Sequence, residues 1–213
     1  MAKLRVGVLI SGRGSNLQAL IEAAADPAYP AEIVLVISNR AEAQGLQRAA
    51  EAGIPREVIA EPDRTAFAAA TDAALRRHRV ELVALAGFMR LLDTGFVEAW
   101  RDRMINIHPS LLPSFPGLHP QRQALAAGAR FSGCTVHFVR AETDSGPIIA
   151  QAVVPVHDDD DEERLAARIL AQEHRLYPLA LRLYAEGRLR IDGKRVIVAG
   201  SKPPEIAALN PAP

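Results

Sequence analysis

Residues 4–16 read LRVGVLISGRGSN: an apolar run, a loop carrying two glycines, and the first residues of an Ala-rich stretch. A short apolar run bounded by Ser and Gly is the pattern of a strand buried on both faces. The alternation then repeats. Ile33–Ile37 (IVLVI), Arg56–Ala60 and Leu82–Ala86 (LVALA) read as further strands. Asn16–Ala25, Ala41–Ala52 and Arg64–His78 read as the helices between them, the last with Asp63 placed to cap it. Strands alternating with helices at this spacing are βαβ units. The expected fold class is therefore α/β: an open, doubly wound, mostly parallel sheet with ligands at the carboxyl ends of its strands.

The second half has a different texture. Met104–His108 reads as a fifth strand. Pro109–His119 (PSLLPSFPGLH) holds three Pro and one Gly among bulky apolar residues, which predicts an ordered irregular loop. Gly133–Val139 and Pro147–Val156 read as strands that pair with each other. Asp158–Glu163 (DDDDEE) opens a helix running to Glu186, and Asp192-Gly193 sits between Arg188–Ile191 and Arg195–Val198 as a small hairpin. There is no internal repeat. Residues 1–200 read as one domain, and residues 201–213, with four Pro, as a loose tail.

Composition narrows the partners. The 213 residues carry 25 basic side chains (22 of them Arg) and 25 acidic ones, and 49% are hydrophobic, enough for a real core. Zero net charge argues against nucleic acid as a partner, since that affinity needs many phosphate neutralisations, but not against one small anion. The single Cys134 excludes an intramolecular disulfide and a multi-Cys metal site and fits a cytoplasmic setting. No apolar run is long enough for a signal peptide or a membrane span. Small-molecule substrates are expected, with the chain a monomer or homodimer.

Three segments carry chemistry. Backbone N–H groups at the helix start after Ser11-Gly12-Arg13-Gly14-Ser15-Asn16 can hold a phosphate. The dinucleotide fingerprint fails, because Leu17 stands at its third glycine and the second strand ends in Ser38-Asn39-Arg40, with no acid placed for a ribose diol; the Walker pattern fails as well. Ser15 and Asn16 suit a terminal phosphate, and the competing reading is a tight turn with Ser15 as helix cap. Asn106 and His108, two apart in a strand, face one site. An Asn amide can donate to an oxyanion, and a His can move a proton or stabilise the same charge. Asp144, in the turn between two strand candidates, would favour a charged imidazole beside it. Together they suit acyl transfer without a covalent intermediate.

Other arrangements are weaker. Ser110 near His108 lacks the strand–turn–helix elbow of a hydrolase. His108, His119 and His137 lack metal-ligand spacing, so no metal is expected. Alternation leaves open whether His137 points to the site or away from it. Asp158–Glu163 lacks the calcium-loop pattern and suits a helix start. Ala86-Gly87-Phe88-Met89-Arg90-Leu91-Leu92 could line an aromatic-ring pocket or simply pack a helix on the sheet.

Taken together, VLISGRGSNLQALI, VISNR, AGFMRLL, INIHPSLLPSFPGLH, TVHFV, DSGPIIAQAVVPV and QEHRLYP resemble the phosphoribosylglycinamide formyltransferase family over roughly residues 4 to 198. The Asn-x-His-Pro-Ser-x-Leu-Pro stretch marks the wider formyltransferase group; the glycine loop, AGFMRLL and QEHxxYP narrow it. The resemblance implies a Rossmann-like formyltransferase fold, 10-formyltetrahydrofolate as co-substrate and glycinamide ribonucleotide as acceptor in purine biosynthesis. It implies Asn106, His108 and Asp144 as the catalytic trio, with Asn106 also touching the folate. Gly14, Ser15, Asn16 and Glu173 would hold the acceptor. Arg64, Met89, Arg90, Leu91 and Leu92 would hold the formyl folate, with Arg64 or Arg90 meeting its glutamate tail and the backbone of residues 140–144 lying opposite. After His119 the chain continues Pro120-Gln121, where many relatives carry Thr-His, so a second loop histidine is absent. The rival readings are a formyltetrahydrofolate hydrolase, a non-catalytic sensor on the same fold, and a methionyl-tRNA formyltransferase, which would need an RNA-binding domain.

Overall fold

Alternate side chains of the central strands feed two separate cores. In the computed structural model, which describes residues 2–202, 205 and 208–210, Val6, Val8 and Ile10 of β1 (Leu4–Ile10) enter one core and Leu9 enters the other. In β4 (Leu82–Leu85), Leu82 and Ala84 take the first side, Val83 and Leu85 the second. Such strands need helices on both faces. The first core lies under α1 (Ser15–Ala24), α2 (Gly45–Glu51) and α6 (Glu162–Ala185), through Leu17, Leu46, Leu165, Ile169 and Leu181. The second lies under α3 (Arg64–Arg77) and α4 (Thr94–Ala99), where Phe67, Leu75, Phe96 and Trp100 pack.

The remaining strands are β2 (Ala31–Ser38), β3 (Arg56–Val58), β5 (Met104–His108), β6 (Phe131–Phe138), β7 (Ile148–Pro155), β8 (Leu189–Asp192) and β9 (Arg195–Val198). Their order across the sheet is β3-β2-β1-β4-β5-β6-β7-β9-β8. The first five run parallel. β6 is antiparallel to β5, β7 is antiparallel to β6, and β9 joins β7 in parallel through Ile148 and Arg195. The expected α/β, doubly wound and mostly parallel sheet is the one observed, and the Asp192-Gly193 hairpin is present as β8 and β9. β1 has β2 on one side and β4 on the other, so the chain reverses direction across the sheet there. The loops after β1 and β4 lead to helices on opposite faces of the sheet, the switch point at which open α/β sheets hold ligands in a crevice.

Some limits differ from the sequence reading, for tertiary reasons. The second helix begins at Gly45, not Ala41, because its first amide donates to Gly12 O at 3.0 Å. A Cβ on Gly14 would stand 2.6 Å from Gly45 Cα, so two glycines let the backbones touch. α4 and α5 (Pro120–Ala126) were not expected. The last long helix starts at Glu162 with Asp161 as its cap, while Asp158 pairs with Arg130 and Asp160 with Arg168. Pro203, Pro204, Pro211 and Pro213 of the expected tail lie outside the described residues. Among the described residues no helix is long and apolar enough to cross a membrane.

Candidate active site

The glycine loop leaves α1 open at its start. Gly14 occupies the cap position at φ 71°, a conformation that glycine adopts freely, and it offers no side chain. α3, α4 and α6 each begin with an Asp that accepts a backbone N–H: Asp63, Asp93 and Asp161. At α1 the first-turn amides, including those of Ser15 and Asn16, have no side-chain acceptor, and a small anion can take that place. The alternative reading of Ser15 as the cap does not describe this helix.

The Asn16 side chain points away from the loop. Its Nδ2 donates to Glu173 Oε2 at 2.7 Å, and its backbone N–H stays with the loop. Glu173 and Tyr177 lie one turn apart on α6. Tyr177 donates to the carbonyl of Leu85, the last residue of β4, and to that of Ile105 beside it in β5, so the helix is registered on the sheet next to the site. Burial pushes the Glu173 carboxyl above its ordinary range, against the opposing effect of the Asn16 hydrogen bond. The folded chain therefore binds a proton that the unfolded chain has lost, and stability falls as pH rises from the ordinary carboxylate value through the raised one. In Glu173→Gln that slope is expected to disappear. The variant should gain on the parent in chemical denaturation at neutral pH and show no such gain at about pH 4.

Ser11 joins the two lips of the crevice. Its hydroxyl donates to Asn39 Oδ1 at 2.7 Å and accepts the Met89 N–H at 2.9 Å. Beyond it, Met89 and Leu91 are 71% and 66% exposed, an apolar rim without a partner, while Leu92 and Phe88 pack on the second core. The Arg90 guanidinium is committed elsewhere. It donates to the carbonyls of Glu61 and Pro62 and lies 4.7 Å over the Phe67 ring. Arg90 thus braces the segment ahead of α3, and Arg64, at the first position of that helix, is the exposed member of the pair.

Asn106, His108 and Asp144 converge where the sheet turns from parallel to antiparallel. His108 Nδ1 is 3.3 Å from Asp144 Oδ2, and Nε2 is 3.0 Å from the Phe115 carbonyl. Both ring nitrogens thus face acceptors, and the doubly protonated ring satisfies both. Asp144 Oδ2 also accepts the Gly117 N–H at 2.8 Å, which ties the Pro-rich loop to the turn. Asp144 has φ 53°, a left-handed conformation that Asp tolerates better than most residues. His137, whose direction alternation left open, points inward: Asn106 Nδ2 is 3.3 Å from its Nε2. The signal that decides it is the β5–β6 register, which sets Asn106 directly across from His137.

Gly146 lets the Asp144 turn close. A Cβ there would overlap the Phe138 carbonyl oxygen, next to the bond from Phe138 N–H to Pro147 O. Gly146→Ala is expected to lose about 1–3 kcal/mol of stability, the usual cost of overpacking. It should also lower kcat by pulling Asp144 from His108. Denaturant unfolding and steady-state kinetics on one preparation test both.

A family model described as formyl transferase matches residues 4–181. The chain belongs to the formyl transferase family. This formyl transferase is 57% identical over 191 residues to the "Trifunctional purine biosynthetic protein adenosine-3" of Drosophila pseudoobscura pseudoobscura. That match takes in 87% of this chain but only 14% of the longer protein. It is 43% identical over 203 residues to the phosphoribosylglycinamide formyltransferase of Escherichia coli (strain K12), covering 91% of this chain and 96% of that one. The crystal structure of glycinamide ribonucleotide transformylase 1 from Symbiobacterium toebii superposes with TM-score 0.89 at 53% identity, over 92% and 94% of the two chains.

Proposed function

We propose that this formyl transferase moves the formyl group of 10-formyltetrahydrofolate to the amine of glycinamide ribonucleotide, giving N-formylglycinamide ribonucleotide and tetrahydrofolate in purine biosynthesis. The observation that carries the reading is the convergence of Asn106, His108 and Asp144 beside a crevice whose helix start has no side-chain cap. The phosphate of the acceptor would sit on the α1 amides at Gly14, Ser15 and Asn16, with Glu173 behind them toward the ribose. The folate would lie along Met89–Leu92, its acidic tail toward Arg64.

In this arrangement the acceptor nitrogen attacks the formyl carbon. A new C–N bond forms and the carbonyl pair moves onto oxygen. Asn106 Nδ2 has two protons, one directed to His137 and the other free for that oxyanion. The charged His108 ring, on the same face of β5, favours the same negative charge. Asp144 Oδ2 is held by Gly117 and His108, so its Oδ1 is the oxygen able to accept the proton that the attacking amine must lose. The intermediate then collapses, the bond to the folate nitrogen breaks, and that nitrogen takes back the proton held by Asp144, so tetrahydrofolate leaves and the carboxylate is restored. Holding both substrates in one cleft supplies much of the rate.

A steady-state assay with both substrates tests the proposal: tetrahydrofolate should appear only when glycinamide ribonucleotide is present. Release of formate from the folate without acceptor would favour hydrolysis instead. Binding of both ligands with no turnover would make the chain a sensor.

A further inference from the structure

His137 is 2% exposed and stands directly opposite Asn106 in the β5–β6 pairing. Its Nδ1 is 2.9 Å from the Phe138 carbonyl oxygen. A carbonyl only accepts, so the ring proton belongs on Nδ1 and Nε2 presents a lone pair. That lone pair faces Asn106 at 3.3 Å. Only the NH2 end of the carboxamide can face it favourably, so the ring decides which way the Asn106 amide is turned. Burial pushes the imidazole toward its neutral form, as do the neighbouring charges of His108 and Arg140; Asp144 and the Phe138 carbonyl act the other way. Asp144 Oδ1, 3.7 Å from Nε2, is the competing partner: a charged ring would turn an Nε2–H to the carboxylate and release Asn106.

We propose that His137 is a positioning residue, a neutral hydrogen-bond acceptor that fixes the amide of Asn106 with its second Nδ2 proton aimed at the developing oxyanion. The catalytic part of this inference rests on the formyl-transfer reading above. The orienting part rests on the β5–β6 geometry alone. The contact adds no binding to either substrate, so its loss belongs in kcat and not in KM.

The test uses His137→Leu and His137→Gln in the full chain. Leucine fills the space without an acceptor, and glutamine carries an amide oxygen to about where Nε2 stands. For His137→Leu, kcat should fall about 10- to 100-fold, part of the 10²–10³ that an oxyanion donor supplies. KM for both substrates should stay within about twofold, and His137→Gln should recover most of the loss. Added to Asn106→Ala, His137→Leu should have no further effect on kcat. An unchanged kcat in His137→Leu, or equal losses in both variants and full additivity with Asn106→Ala, would overturn the proposal. Nitrogen-15 NMR of the histidine side chains in the unaltered chain at about pH 7 decides the geometry without any assay. His137 should be protonated at Nδ1 and bare at Nε2; a proton on Nε2 would overturn the proposal. Absence of turnover in the unaltered chain would sink the formyl-transfer reading while leaving this NMR result to stand or fall separately.

Discussion

Asp144→Asn is expected to lower kcat for formyl transfer by about 10²- to 10⁴-fold, the range general acid–base groups supply. The substitution is close to isosteric. An amide oxygen still accepts the Gly117 N–H, so the turn and the Pro-rich loop stay joined. What is removed is the negative charge 3.3 Å from His108 Nδ1. A pair of unit charges at that separation is worth about 5 kcal/mol at an effective dielectric of about 20, whereas a neutral hydrogen bond contributes about 1 kcal/mol. Charge, not shape, should therefore dominate the loss. On the proposed mechanism the proton acceptor for the attacking amine disappears in the same change. Steady-state kinetics together with a denaturant melt separate the outcomes. Parent-like kcat in a folded Asp144→Asn would remove Asp144 from the reaction, and a large drop with an unchanged melt is the expected result. His108→Ala combined with Asp144→Asn should lose far less than the product of the two single losses, because the pair acts as a unit.

Asn106→Ala should cost about 10²- to 10³-fold in kcat, the loss seen when one oxyanion donor is removed. Asn106→Asp should be worse than alanine. It has nearly the same size but aims a carboxylate at a carbonyl oxygen that is gaining negative charge. The order Asn, then Ala, then Asp is the signature of transition-state stabilisation. A merely structural amide would rank Asp above Ala, since Asp fills the space and Ala leaves it empty. Rate measurements at saturating concentrations of both substrates read this order directly.

The central sheet was legible because its strands are buried on both faces and each is followed by a helix-forming run, signals that lie within about a dozen residues. The ends of elements were less legible where distant backbone sets them. Nothing near Ala41 says that the helix waits for Gly45, because the reason is Gly14, on another loop. α4 is only six residues long and carries little periodic signal. α5 had a local sign, Pro120 at its first position, hidden by the Pro-rich segment ahead of it. At the site, the spacing of Asn106 and His108 placed both on one face. The direction of His137 and the inward turn of Asn16 depend on pairings between strands and helices far apart in the chain. The commitment of Arg90 to two carbonyls rests on a loop conformation that composition does not encode.

The bond between Asn16 and Glu173 joins residues 157 positions apart. It also has a meaning in time. A ribosome delivers α1 well before α6, so Asn16 has no Glu173 to bond until residues through α6 have emerged. Until then the face of β6 and β7 that α6 covers stays wet, with Cys134, Val136 and Val154 exposed to whatever else is near. On the proposed reading, closing the acceptor site and burying that face are one event, and the first turnover of a newly made chain would report that α6 has docked.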